Sequence, residues 1–250
     1  MLIRKDKYNA TKQELRLVEV ESTKSYTAIT HKEVIDLVDD LCKQFGIDII
    51  SEQFYSTEEG KIAEGHYTFG FTDGEMSLQF VWQNSTNKKV SFKCALGISV
   101  AVCTNGSVWG DLGAFKRIHT GQADTKAYDE IVQMLSKAEQ TFNEYVKLKD
   151  DLKSIHVEPD MAYSLCGIMF FKKMISSTQI NIIRDEYEKP SFEYNAEGTV
   201  WELWQHITHS FKAVSPRNYL TNQIKVGQFL NKSFFSYEEA DWEYVTDTEA

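Results

Sequence analysis

Apolar positions change period along the chain, and each change marks a different kind of element. Val34, Leu37, Val38, Leu41 and Phe45 recur at three- and four-residue steps, which predicts an amphipathic helix. Thr30-His31-Lys32-Glu33 ahead of it is a capping box, and Gly46 supplies a left-handed stop. Upstream, the alternation in LRLVEVES at 15–22 reads as a strand. Downstream the period falls to two. IDIISEQFYS at 47–56 runs into the turn STEEGK, and 62–72 alternates with Tyr67, Phe69 and Phe71 on one face. Asp73-Gly74 then joins this strand to Met76, Leu78, Phe80 and Trp82, a pairing of turn and alternation that predicts a hairpin. A polar loop, NSTNKK, leads to VSFKCALGISVAVC, a further long strand or pair of strands, and so completes an antiparallel meander.

Past Asp124 the period lengthens again. Tyr128, Ile131, Leu135, Ala138, Phe142, Tyr145, Leu152 and Ile155 form one narrow stripe, interrupted at Lys149, and predict a single long helix over 124–155. His156 to Pro159 ends it. Helical patterns follow at 161–176, at 199–214 and at 217–231, with a linker around Lys189-Pro190. The fold class expected is α+β: an antiparallel β-meander with a preceding helix and a long crossing helix, then a helical C-terminal part. The expected organisation is a core domain at 1–157, a helical subdomain at 158–235 and an acidic tail at 236–250.

Composition narrows the function classes. A chain of 250 residues, 42% of them apolar, can bury one sizeable core. It has no apolar stretch of membrane-spanning length, and MLIRKDKYNATKQEL lacks a secretory core, so the expected location is the cytosol, with no membrane partner. Cys42, Cys94, Cys103 and Cys166 have no C-x-x-C spacing and argue for neither zinc nor disulfides. The net charge of −10 opposes non-specific DNA binding by the molecule as a whole, yet SYEEADWEYVTDTEA at 236–250 carries six acids and no base. Basic clusters stand out against the remainder: Lys88, Lys89 and Lys93, and Lys116, Arg117 and His119.

Candidate chemistry concentrates in VCTNGSVWGDLGAFKRIHTG, residues 102–121. Cys103 and His119 could be drawn as nucleophile and base, but no orienting third group accompanies them, and Cys103 reads as the end of a buried strand. The glycines at 106, 110, 113 and 121 match neither phosphate-loop fingerprint. His206 and His209 have i, i+3 spacing without a third ligand, and read as packing. No cofactor, no metal and no enzymatic activity are expected. The reading kept is a basic entry to a helix, at Lys116, Arg117 and His119, suited to an anion or a phosphate backbone.

The same segment carries a family resemblance. Val102, Cys103, Thr104, Asn105 and Gly106, then Arg117, Ile118, His119, Thr120 and Gly121 ahead of a long amphipathic helix, resemble the phage and plasmid family catalogued as domain of unknown function 932, over about residues 30–150. The resemblance implies a mobile-element origin and no established activity. The layout is also similar to that of phage single-strand annealing proteins of the Red-beta and RecT type, which assemble side by side around a single strand. By that analogy the chain is expected to be a non-enzymatic homo-oligomer binding single-stranded nucleic acid. Lys88, Lys89, Lys93, Lys116, Arg117 and His119 would contact phosphates, while Trp109, with Tyr67 or Trp82, would stack on bases. The acidic tail would recruit another protein or restrain binding. The alternative is a phage-encoded inhibitor that docks on a host defence protein or another host protein through an acidic surface.

Overall fold

The structure is a computed structural model that describes residues 8–20, 29–101, 106–109, 114–117 and 123–235, with the backbone alone at 114–117 and 123–126. Its elements in chain order are β1 (Asn9–Ala10), α1 (Lys12–Arg16), α2 (His31–Phe45), β2 (Ile49–Thr57), β3 (Ile62–Thr72), β4 (Met76–Ser85), β5 (Phe92–Val100), β6 (Gly106–Ser107) and β7 (Ala114–Arg117). The helices α3 (Ala123–Ser136), α4 (Ala138–Ser154), α5 (Pro159–Phe171), α6 (Ser177–Glu188), α7 (Val200–Ser210) and α8 (Tyr219–Phe235) follow.

All the strands belong to one antiparallel sheet in the order β1-β2-β3-β4-β5, with β6 and β7 both pairing with β5. The hairpin at Asp73-Gly74 forms as its sequence predicts, with Gly74 at φ 91° and the Asp73 carboxylate accepting from the amides of Glu75 and Met76. Helix α2 likewise carries both halves of its Thr30–Glu33 capping box and ends in Gly46 at φ 66°. Its first turn is stitched to the sheet: Asn84 Nδ2 donates to the Ile29 carbonyl at 2.7 Å, and His31 Nε2 lies 3.0 Å from the Gly60 carbonyl.

Both faces of the sheet are covered. One carries Tyr67, Phe69, Leu78, Phe80, Trp82, Leu96 and Ile98, all buried beneath α2, α3 and α4. Close approach across it depends on Gly65, where a Cβ would stand 2.4 Å from Trp82 Nε1. On the other face Gly97 does the same service, since a Cβ there would meet the Ser107 carbonyl oxygen at 2.3 Å. That second face lies under α8: Gln83 donates to the Pro216 carbonyl, and the His66 and Tyr219 rings sit 5.2 Å apart.

Three expectations are corrected. Over its described residues, 15–20, LRLVEVES forms no strand: Leu15 and Arg16 close the short helix α1, whose Thr11–Glu14 capping box takes over the local backbone. The single helix over 124–155 is two, because the i→i−4 ladder lapses at Lys137, whose amide turns back to the Met134 carbonyl. Both halves touch β5, but their other neighbours differ, α2 and β7 for α3 and β4 and α7 for α4. Helix α6, with its Ser176–Gln179 capping box, occupies a stretch ahead of Lys189-Pro190 for which no helix is predicted. Across residue 157 the buried apolar side chains form one continuous cluster from Leu15 to Leu230, so the helical part shares the core of the sheet.

The break in the stripe at Lys149 has a structural cause. Its ammonium, nearly buried, reaches Asp73 Oδ2 at 2.5 Å and Glu75 Oε2 at 3.1 Å, and Lys153 adds a bond to Glu75 at 2.6 Å. Helix α4 thus grips the β3–β4 turn. Burial pushes the Asp73 carboxyl up, but the bonds from Lys149 and from the Met76 and Glu75 amides outweigh it and hold it below the usual carboxylate range.

Candidate nucleic-acid interface

The sheet brings five of the predicted contact residues to one edge. Lys88 and Lys89 lie in the turn between β4 and β5, where Lys88 adopts φ 64°. Strand β5 then places Lys93 opposite Lys116 of β7, and Phe92 opposite Arg117. The same register row continues inward as Lys93, Gln83 and Glu64, so charge runs from basic at the edge to acidic in the sheet interior. Lys93 is itself buried to 7% exposure, with Nζ 3.5 Å from Gln83 Oε1. Beside the edge, Glu58 takes Lys89 Nζ and Asn87 Nδ2, both at 2.8 Å, and these groups with Glu59 and Lys61 line a shallow cleft. Lys89 is therefore already engaged within the protein.

The expected base-stacking residues are corrected. Trp109 is 1% exposed: its ring packs edge-on against Trp204 at 4.7 Å, its Nε1 donates to Asn231 at 3.0 Å, and its amide donates to the Tyr145 hydroxyl. Tyr67 and Trp82 are fully buried on the α2-side face. A ring with both faces in a protein core cannot stack on a base in this conformation. His119 and Cys103 lie outside the described residues. Of Cys42, Cys94 and Cys166, all three are buried free thiols; burial pushes Cys42 up to about 12 and Cys166 to about 11, which keeps them protonated.

Sequence reasoning missed a buried polar layer between the sheet and α8. His66 Nε2 makes a short contact with Glu64 Oε1, and its other ring nitrogen lies 3.4 Å from Gln79 Oε1. Gln79 Nε2 donates to Thr68 Oγ1, and Gln223 spans the entry to β6, donating to the Gly106 carbonyl at 2.6 Å and accepting from the Val108 amide at 3.2 Å. The signal available was polar alternation inside strands otherwise rich in aromatics: Glu64, His66 and Thr68, then Gln79 and Gln83. Gln223, with the Tyr219 ring packed on His66, ties α8 to the sheet over this layer.

His206 and His209 sit on α7, a helix buried nearly all round, among Tyr187, Phe192 and Tyr194. Their nearest carboxylates are Glu202 at 4.0 Å and Glu186 at 3.7 Å, and among the described residues no group of three His, Cys, Asp or Glu side chains is placed to hold a metal. Burial lowers the His206 imidazole to about 4 from 6.5. The unfolded chain therefore binds the extra proton first as pH falls below 6.5, so stability is full above that value and declines toward pH 4. Between pH 7 and pH 5 this group removes about 2 kcal/mol. Urea midpoints at the two pH values should show the loss, and His206→Gln should flatten it; an unchanged slope in that variant would refute the assignment.

A family model described as a domain of unknown function, DUF932, matches residues 20–233, which extends the expected likeness at 30–150 through the helical part. No curated protein and no solved structure matches the chain. No described helix is long and apolar enough to cross a membrane. With strands β2 to β7, the crossing helices and nearly all of the helical C-terminal part inside the matched region, the chain belongs to the DUF932 family.

Proposed function

We propose that this protein is a non-enzymatic, mobile-element-encoded binder of single-stranded nucleic acid, acting in annealing or recombination and holding the phosphate backbone at the β5–β7 edge. One observation carries the reading: Lys93 and Lys116 are opposed in register beside Arg117, next to the turn that bears Lys88 and Lys89. A phosphate backbone is drawn to such a concentration of basic residues at one edge of the sheet. The layout expected from the sequence, likened there to the Red-beta and RecT annealing proteins, motivates the reading as an analogy of fold. Because Trp109, Tyr67 and Trp82 are buried, contact rests on phosphates, and binding is expected to be indifferent to base sequence.

The test is fluorescence anisotropy with a labelled single strand at low ionic strength, on the full chain and on a chain lacking residues 236–250. Affinity should fall with salt at a slope of about −0.7 per phosphate neutralised. Lys116→Glu with Arg117→Glu should weaken binding about tenfold or more and reduce that slope by about 1.4. Absence of a salt-dependent shift in both chains overturns the proposal, as does a stable complex with a host protein formed by a chain indifferent to DNA.

A further inference from the structure

Helix α5 is apolar on the side that faces solvent. Residues 161–171 contain no charged side chain, in a chain that is 26% charged. Ala162, Leu165, Cys166 and Met169 point into the core, while Met161, Tyr163, Ile168, Phe170 and Phe171 are exposed, Phe171 to 84%. Around the outer face, Gly167 leaves a gap: a Cβ built there meets nothing within 4 Å. Large side chains flanking an open glycine make a surface of knobs beside a hole, the shape that a second helix fills. Contiguous exposed apolar surface of this kind marks an interaction site.

The ends of the helix say what covers it. Glu158 and Asp160 stand at the N-terminal end, and Lys172 and Lys173 at the C-terminal end. We infer that the partner is a second copy of this chain, its α5 laid antiparallel across the first, so that the acidic end of each helix meets the basic end of the other and the two Gly167 positions face each other at the two-fold axis. Such a contact is self-complementary in both shape and charge, as an isologous dimer requires. Helix α5 packs on its inner side against α6, which leaves its outer face open to such a partner.

Sedimentation equilibrium of the full chain reads the proposal. Wild type should run at twice the chain mass, and Phe171→Asp, at a site with little to lose in folding, should run at the chain mass with its thermal unfolding unchanged. Lys172→Glu with Lys173→Glu should weaken the dimer about tenfold or more, and adding Glu158→Lys with Asp160→Lys to the same chain should restore it, since reversing both ends re-forms every pair. Under mild oxidation Gly167→Cys should yield a covalent dimer that wild type does not. A monomeric wild type overturns the inference, as does an assembly that Phe171→Asp leaves intact or a charge reversal that the second reversal fails to rescue.

Discussion

Replacing His66 by Leu should lower unfolding stability by about 3 kcal/mol, the cost of leaving a buried acceptor short of its hydrogen-bond donor. Glu64 is 0% exposed and accepts from the His66 ring, so the variant leaves a carboxylate in the sheet interior short of that donor. Glu64→Leu should cost less, because an imidazole short of one bond is cheaper to bury than a carboxyl group in the same position. Most informative is the pair: Glu64→Leu with His66→Leu should recover most of the loss, since apolar side chains of similar volume replace a buried pair at little net cost. Denaturant unfolding of the four proteins gives the cycle. Equal losses for both single variants that simply add in the double would show that the two residues act independently, and the pairing would be wrong. The proteins should also differ in how firmly α8 is held, because His66 packs on Tyr219, so amide exchange in α8 should rise with the His66 substitution.

Lys149→Ala should cost about 3 kcal/mol, toward the lower end for a broken buried pair because Asp73 keeps 18% exposure and Glu75 42%. Two losses combine in that variant. The charge that offsets two carboxylates disappears, and so does the packing of the lysine stem. Lys149→Met keeps the stem and should lose less, and Lys149→Met with Asp73→Asn should recover part of what remains. Hydrogen exchange at Glu75 and Met76, whose amides donate to Asp73, is the local readout, expected to quicken in Lys149→Ala. Unchanged exchange at the hairpin, with stability equal to wild type, would mean that α4 does not hold the turn.

Lys149 also shows where the sequence was legible and where it was not. An apolar stripe interrupted by a lysine announces a helix with a flaw, and the helix is there. What the lysine serves depends on Asp73 and Glu75, more than seventy positions away, and no local pattern reports that distance. The kink at Lys137 has the same origin: the stripe runs unbroken past it, and only the diverging partners of α3 and α4 separate the two halves. Trp109 is the counterpart among the site residues. A tryptophan among glycines and turn residues has the composition of an exposed stacking platform, and it is instead clamped by Trp204, Asn231 and Tyr145, three residues from three later helices. The basic edge was half legible, since clusters at 88–93 and 116–117 are visible in the chain, but their union required the β5–β7 register.

By itself the sequence determined the elements whose causes are local: the capping box and glycine stop of α2, the Asp-Gly hairpin, the two-residue alternation of the meander and the order of sheet before helices. These follow from backbone sterics and from hydrogen bonds spanning a few residues, which any chain of this sequence would feel. Only the tertiary structure decided which side chains share a place: the Glu64–His66 layer under α8, the grip of Lys149 on the hairpin, the burial of Trp109 and the opposed lysines at the sheet edge. Those arrangements depend on burial and on contacts between distant segments, where desolvation sets the worth of every charge, and desolvation exists only once the chain has closed on itself.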